Sequence, residues 1–187
     1  NKKHSLLALE KYPRQTFNEK PLTEYIKFLD LYTITMSDYQ KSCYLNQLET
    51  IKNKMGKQLY DTIDSMSYTK LSEPLQLLNM VYPGDKFGMK GEKGFNNVIT
   101  KSNMQYSYRP GYEGLFKLEN IEKYSMKIKT ILDNIKNSEG IVLIYSQWIW
   151  AGIVPLACAL EESGFNRFEG TNILSTKTKT DDKHSTY

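Results

Sequence analysis

Gly140-Ile141-Val142-Leu143-Ile144-Tyr145-Ser146-Gln147 is the stretch around which the rest of the chain is read. Ile141 to Tyr145 are all apolar or aromatic, a glycine precedes them, and two polar side chains close them. Such a run reads as a strand buried on both faces, as in a parallel sheet covered by helices. Leu156, Ala159 and Leu160 follow at helical spacing, with Pro155 suited to a first helical turn and Gly164 to a C-terminal cap. A second short apolar element then leads to Glu169-Gly170. The order strand, loop, helix, strand is the unit of an α/β nucleotide-binding-type fold, in which ligands sit at the carboxyl ends of strands. Ser146 and Gln147 occupy that place.

The 187 residues suffice for one ordinary domain or two partial ones. A start at Asn1 rather than Met, with no secretory leader, reads as a piece of something longer. No apolar run approaches the length of a membrane span, so no membrane partner is expected. A net charge of +4 permits a nucleic-acid partner without requiring one. Cys43 and Cys158 lie far apart in apolar surroundings and read as buried free thiols of a reducing compartment. The two histidines, His4 and His184, sit near the ends, which disfavours a histidine metal site or a Ser-His-Asp triad. The catalytic and metal-ligating sets are therefore empty.

Upstream of the opening stretch, residues 1–20 read as a connector. Leu31–Met36 alternates as a strand would. Ser37 followed by Gln40 forms a capping box, so a helix starts near residue 38. Tyr44, Leu48, Ile51 and Met55 recur at helical spacing, and Gly56 is a stop. Leu71–Val81 reads as a short apolar helix ended by Tyr82-Pro83-Gly84. Between Gly84 and Gly114 glycines become frequent and basic residues outnumber acids. There Tyr106, Tyr108 and Tyr112 interleave with Arg109, which reads either as a basic aromatic nucleic-acid surface or as a flexible insertion. Gly88, Gly91 and Gly94 lack the Gly-Lys-Ser/Thr ending of a phosphate loop. Ser125 is an N-cap for an amphipathic helix through Ile128, Ile131, Leu132 and Ile135. After Gly170 the chain is polar and reads as a loop or exposed end.

Four stretches stand in fixed order: Met36-Ser-Asp-Tyr-Gln40 followed by Tyr44; Leu75-Gln-Leu-Leu-Asn-Met-Val-Tyr-Pro83; Lys123-Tyr-Ser-Met-Lys127-Ile128; and Gly140–Gln147 continuing to Leu160-Glu-Glu-Ser-Gly-Phe165 and Glu169-Gly170. Together they resemble the middle of a superfamily 2 helicase-type ATPase on the chromatin-remodeller-like side, closest to the helicase and early-transcription ATPases of poxvirus, asfarvirus and mimivirus types. The resemblance covers about residues 30 to 170. It implies an α/β fold: a mainly helical region over 1–83 ending a first RecA-like lobe, a Gly-rich basic linker or insertion over 84–119, and the start of a second lobe with a partial parallel sheet over 120–187. It implies that Ile141–Gln147 is the opening strand of that lobe and that Ser146 and Gln147 face a nucleic-acid backbone, where hydroxyl and amide groups bind phosphate oxygens. The alternative is that both merely cap the strand end. Trp148 and Trp150 read as packing residues rather than base-stacking ones.

ATP and Mg2+ are implied for the complete enzyme. This chain has no phosphate loop, no acidic magnesium motif and no arginine motif, so neither can be assigned here and the chain alone is expected not to hydrolyse ATP. The implied partners are DNA or RNA, the remainder of the same polypeptide and transcription machinery, in host cytoplasm or virion. A second hypothesis is a non-catalytic nucleic-acid-binding or scaffolding module, and a weaker third is a glycosyltransferase-like domain, since a strand–helix unit does not define chemistry.

Overall fold

Local capping chemistry sets where the helices begin. In the computed structural model, which describes residues 32–55, 68–102, 105–175 and 186–187, helix α1 spans Asp38–Met55. Ser37 caps it: its Oγ accepts the Gln40 N–H at 3.1 Å, satisfying one orphan donor of the first turn. The second half of the capping box is absent. The Gln40 side chain instead crosses to helix α2 (Tyr68–Asn79) and donates to the Leu77 carbonyl at 2.8 Å. Gln47 likewise donates to Glu73 at 2.8 Å. The buried face of α1 is thus Gln40, Cys43 and Gln47, rotated from the Tyr44, Leu48 and Ile51 face that apolar spacing picks out. Amides win that face because each finds a partner on α2, which removes most of the cost of burying them. The alternation over 31–36 does not become a strand: Leu31 lies outside the described residues, and 32–37 is irregular.

After α2, Met80, Val81 and Tyr82 are fully buried, and Tyr82 pairs with Met89 through two backbone hydrogen bonds. Gly88, at φ +62°, closes the loop between them, and a Cβ there would lie 2.4 Å from a Val81 methyl. Helix α3 (Gly91–Val98) runs directly into β1 (Ile99–Ser102), which pairs antiparallel with β2 (Gln105–Tyr108), Ile99 opposite Tyr108. Residues 84–119, rich in glycine and lysine, therefore supply Phe95, Val98, Ile99, Leu115 and Phe116 to the core. Tyr106 and Tyr108 of the expected basic aromatic surface pack against that core. The Tyr106 ring meets Phe95 edge-on at 5.3 Å, and the Tyr108 hydroxyl donates to Glu162 at 2.7 Å.

Helices α4 (Leu118–Tyr124) and α5 (Met126–Lys136) meet at Ser125. Its Oγ caps α5 by accepting the Ile128 N–H at 3.0 Å and donates to the Asn79 carbonyl at the end of α2 at 2.5 Å. The last helix, α6 (Val154–Glu162), ends in a Schellman motif: Phe165 N–H bonds the Leu160 carbonyl, Gly164 N–H bonds Glu161, and Gly164 stands at φ +94°.

A π-helical turn, Ile149–Ile153, precedes α6. The Ile153 N–H reaches back to the Trp148 carbonyl and Val154 N–H to that of Ile149. The next donor in this series would be Pro155, which has no N–H. The Trp150 carbonyl so freed accepts the Tyr82 hydroxyl. The Trp150 ring rests 5.1 Å from Phe95, consistent with packing rather than base stacking.

The described residues thus form a mixed, mostly helical α/β unit over Ile34–Tyr187, whose one sheet is the two-stranded antiparallel β1–β2. No parallel sheet and no RecA-like lobe is present among them. The expected strand at 141–146 is an irregular segment in which Ile141 and Leu143 are fully exposed and no backbone group is paired among the described residues. An apolar run of this kind becomes a strand only when neighbouring strands take up its N–H and C=O groups. The polar end also departs from expectation. Leu174 is buried at 1% exposure, and residues 173 and 175 bond the two sides of Tyr106, laying this segment parallel to β2 at one bridge.

Candidate functional site

Three elements converge on a groove of about 390 Å3. Helix α2 contributes Leu75, Leu78 and Asn79. Helix α5 contributes Lys127, Ile128 and Ile131. Residues 144–148 close the third side, with Ala151, Gly152 and Leu156 at the base. The Ser125 bridge fixes the end of α2 against the start of α5, so Asn79 and Lys127 are held together: the Lys127 ammonium donates to Asn79 Oδ1 at 2.5 Å. Lys127 is exposed, and partial desolvation beside α2 lowers its pKa because the charged form loses hydration.

Ser146 and Gln147 both line this groove but differ in state. The Ser146 Oγ accepts the Trp148 N–H at 3.2 Å and donates to the Trp148 carbonyl at 3.1 Å, a local turn that leads the chain into the π turn. Gly152 backs directly onto it, since a Cβ there would lie 2.2 Å from that oxygen. The Gln147 side chain is exposed and has no hydrogen-bond partner among the described residues. Of the two, Gln147 has its full donor and acceptor set available to a ligand. Asn79 and Lys127 escaped the sequence reading because they come from separate helices. Their signals, an Asn ending an apolar helix and a Lys two residues past an N-cap, are common to many surface positions.

A second, larger cavity of about 890 Å3 lies between the start of α1, residues 111–115 and α4. Asp38, Glu113, Glu119 and Glu122 line it. Its one lysine, Lys123, lies over the rings of Tyr39 and Tyr124 at 5.3 and 5.4 Å. Four carboxylates against one cation make this cavity repel a polyanion.

Among the described residues no group of three or more His, Cys, Asp and Glu is placed to hold a metal ion. Cys43 and Cys158 are buried free thiols. Burial raises both pKa values, and Glu161 and Glu162 raise that of Cys158 further, so neither presents a thiolate nucleophile. His4 and His184 lie outside the described residues. No helix among the described residues is long and apolar enough to cross a membrane. No protein family, no curated protein and no solved structure matches the chain.

Proposed function

We propose that this chain grips single-stranded nucleic acid as the non-hydrolytic part of an ATP-dependent helicase or translocase, of the type found in large DNA viruses and acting with the transcription machinery. The observation that supports the reading is convergence. Asn79, Lys127 and Gln147 belong to three separate stretches that carry the helicase resemblance, and all line one groove. The remaining stretch, Met36–Gln40, joins the third, because Ser37 Oγ donates to the Lys123 carbonyl at 2.5 Å. One cation and two amides suit phosphate and sugar contacts that carry no sequence information. The exposed Tyr145 ring at the rim offers a stacking face for a base. In this reading ATP and Mg2+ act elsewhere in the complete enzyme.

Fluorescence anisotropy with a labelled oligothymidylate across a salt series tests the proposal. Lys127→Met should weaken binding and flatten the log–log salt slope by about 0.7, the share of one phosphate contact on a single strand. Gln147→Ala should weaken binding without changing that slope. Unchanged affinity in both variants would refute a nucleic-acid site here. A non-catalytic binding module is the second reading, favoured by the mostly helical unit without a RecA-like sheet. Nucleic-acid-stimulated ATPase in the complete protein separates the two.

A further inference from the structure

We propose, resting on the nucleic-acid reading above, that the α2–α5 groove receives one unstacked base of the strand while the adjoining phosphate is held at the groove's mouth. The groove is graded from bottom to top. Its floor is apolar and buried, with Ile128, Ala151 and Leu156 at most 4% exposed. Its mouth is polar, formed by the exposed Lys127 and Gln147 with Asn79 held to Lys127. Lys127 is the one charged residue among those lining the groove, so no carboxylate there opposes an anion. A ligand complementary to both halves has an anionic end and an apolar body, and each nucleotide of a strand has both. An aliphatic anion would satisfy the cation and the floor but would leave the two amides without partners. A sugar–phosphate presents oxygens to each of them. At about 390 Å3 the groove lies near the small end of the ~300–1,000 Å3 range of ligand pockets, room for one nucleotide and not for a run of stacked bases.

The walls are set before a strand arrives. Ser125 ties the end of α2 to the start of α5. Trp148 is fixed through its backbone: its N–H and C=O both bond Ser146 Oγ, and its carbonyl also takes the Ile153 N–H. The half-buried Trp148 lines the groove, and its indole is the largest apolar group there. Ser146 is in this arrangement a positioning residue for Trp148. Tyr145, exposed at the rim, stacks the neighbouring base. Insertion from a single strand costs little, because no base pair is broken.

Competition anisotropy with the full chain tests the insertion. A labelled oligothymidylate is displaced by unlabelled oligothymidylate or by an abasic strand of equal length that keeps the sugar–phosphate backbone. The abasic strand should compete at least about fivefold more weakly, the lower bound for one stacked base. Tyr145→Ala should keep part of that preference, since the inserted base remains. Adding Leu78→Trp, which fills the groove from α2, should bring the ratio of the two strands towards one, with circular dichroism reporting the fold. Tryptophan fluorescence gives a readout without any groove-filling substitution. Oligothymidylate should quench it, the abasic strand should not, and Trp148→Phe should abolish the quenching. Equal competition by the two strands, or quenching that survives Trp148→Phe, overturns the insertion and leaves the nucleic-acid reading standing. Binding of neither strand overturns both.

Discussion

Glu161 is the most informative single position to perturb. It lies on α6 at 3% exposure, and its carboxylate takes three donors: the Ile173 N–H at 2.6 Å, the Leu174 N–H at 2.7 Å and the Tyr187 hydroxyl. These bonds hold the 172–175 segment against β2 and seat Leu174 in the core. Glu161→Ala removes every acceptor and strands two backbone donors, each worth about 1–3 kcal/mol when left unsatisfied in the interior. Allowing for partial solvation of Ile173, the loss should be about 2–5 kcal/mol, a large part of the 5–15 kcal/mol that holds a typical domain together. Glu161→Gln keeps one acceptor but turns an N–H2 group towards a donor, and should lose about 1–3 kcal/mol. Urea unfolding followed by circular dichroism measures both, with an unchanged m-value certifying that stability rather than compactness has moved. Native-state hydrogen exchange should show the Leu174 amide losing protection well before the amides of α5. If Glu161→Ala unfolds within about 0.5 kcal/mol of wild type and the Leu174 amide stays protected, the carboxylate is not the clasp described here.

Two further outcomes follow from the core. Phe95 is fully buried, with ring contacts to Tyr82, Tyr106, Phe116 and Trp150, so Phe95→Ala should cost about 3–5 kcal/mol in the same unfolding assay. Burial raises the pKa of Tyr82 and of Tyr108, the latter helped by Glu162, so both phenols stay protonated in the fold after the unfolded chain has begun to ionise. The folded state then holds more protons than the unfolded one. Stability should begin to fall at about pH 8.5, where the unfolded chain loses the thiol protons that buried Cys43 and Cys158 keep, and fall more steeply above about pH 10, by about 1.4 kcal/mol per pH unit for each buried phenol, measurable as a falling urea midpoint. Tyr108→Phe should remove one share of that slope.

Helix starts and stops were legible because capping is chemistry among residues three or four apart. Ser37, Ser125 and Gly164 each do what their local sequence indicates. The strand at 141–146 was not, because a strand requires partners from elsewhere in the chain, and hydrophobicity alone does not supply them. Which side of α1 faces inward was equally non-local: the Gln40 and Gln47 amides are buried only because α2 offers them acceptors. The glycines of 84–114 read as looseness, yet Gly94 is there for close contact, a Cβ on it falling 2.4 Å from the Tyr82 ring. Leu174 stands alone in a polar run, without a period to announce it. At the site, Ser146 and Gln147 were visible as the polar exit of an apolar run. Their division of labour, one locked in a turn and one free, needed the coordinates.

The π turn at Ile149–Ile153 also acts as a phase shifter. It holds one residue more than an α-helical turn would for the same backbone closure, and one residue corresponds to about 100° of rotation around a helix axis. Everything before it is therefore dealt from a different side of α6 than a regular helix would allow. Ahead of the turn, Ile144 packs against the core and Leu143 stands in solvent. Deleting one residue from the turn would restore α-helical closure and rotate α6 against Trp148 by about 100°.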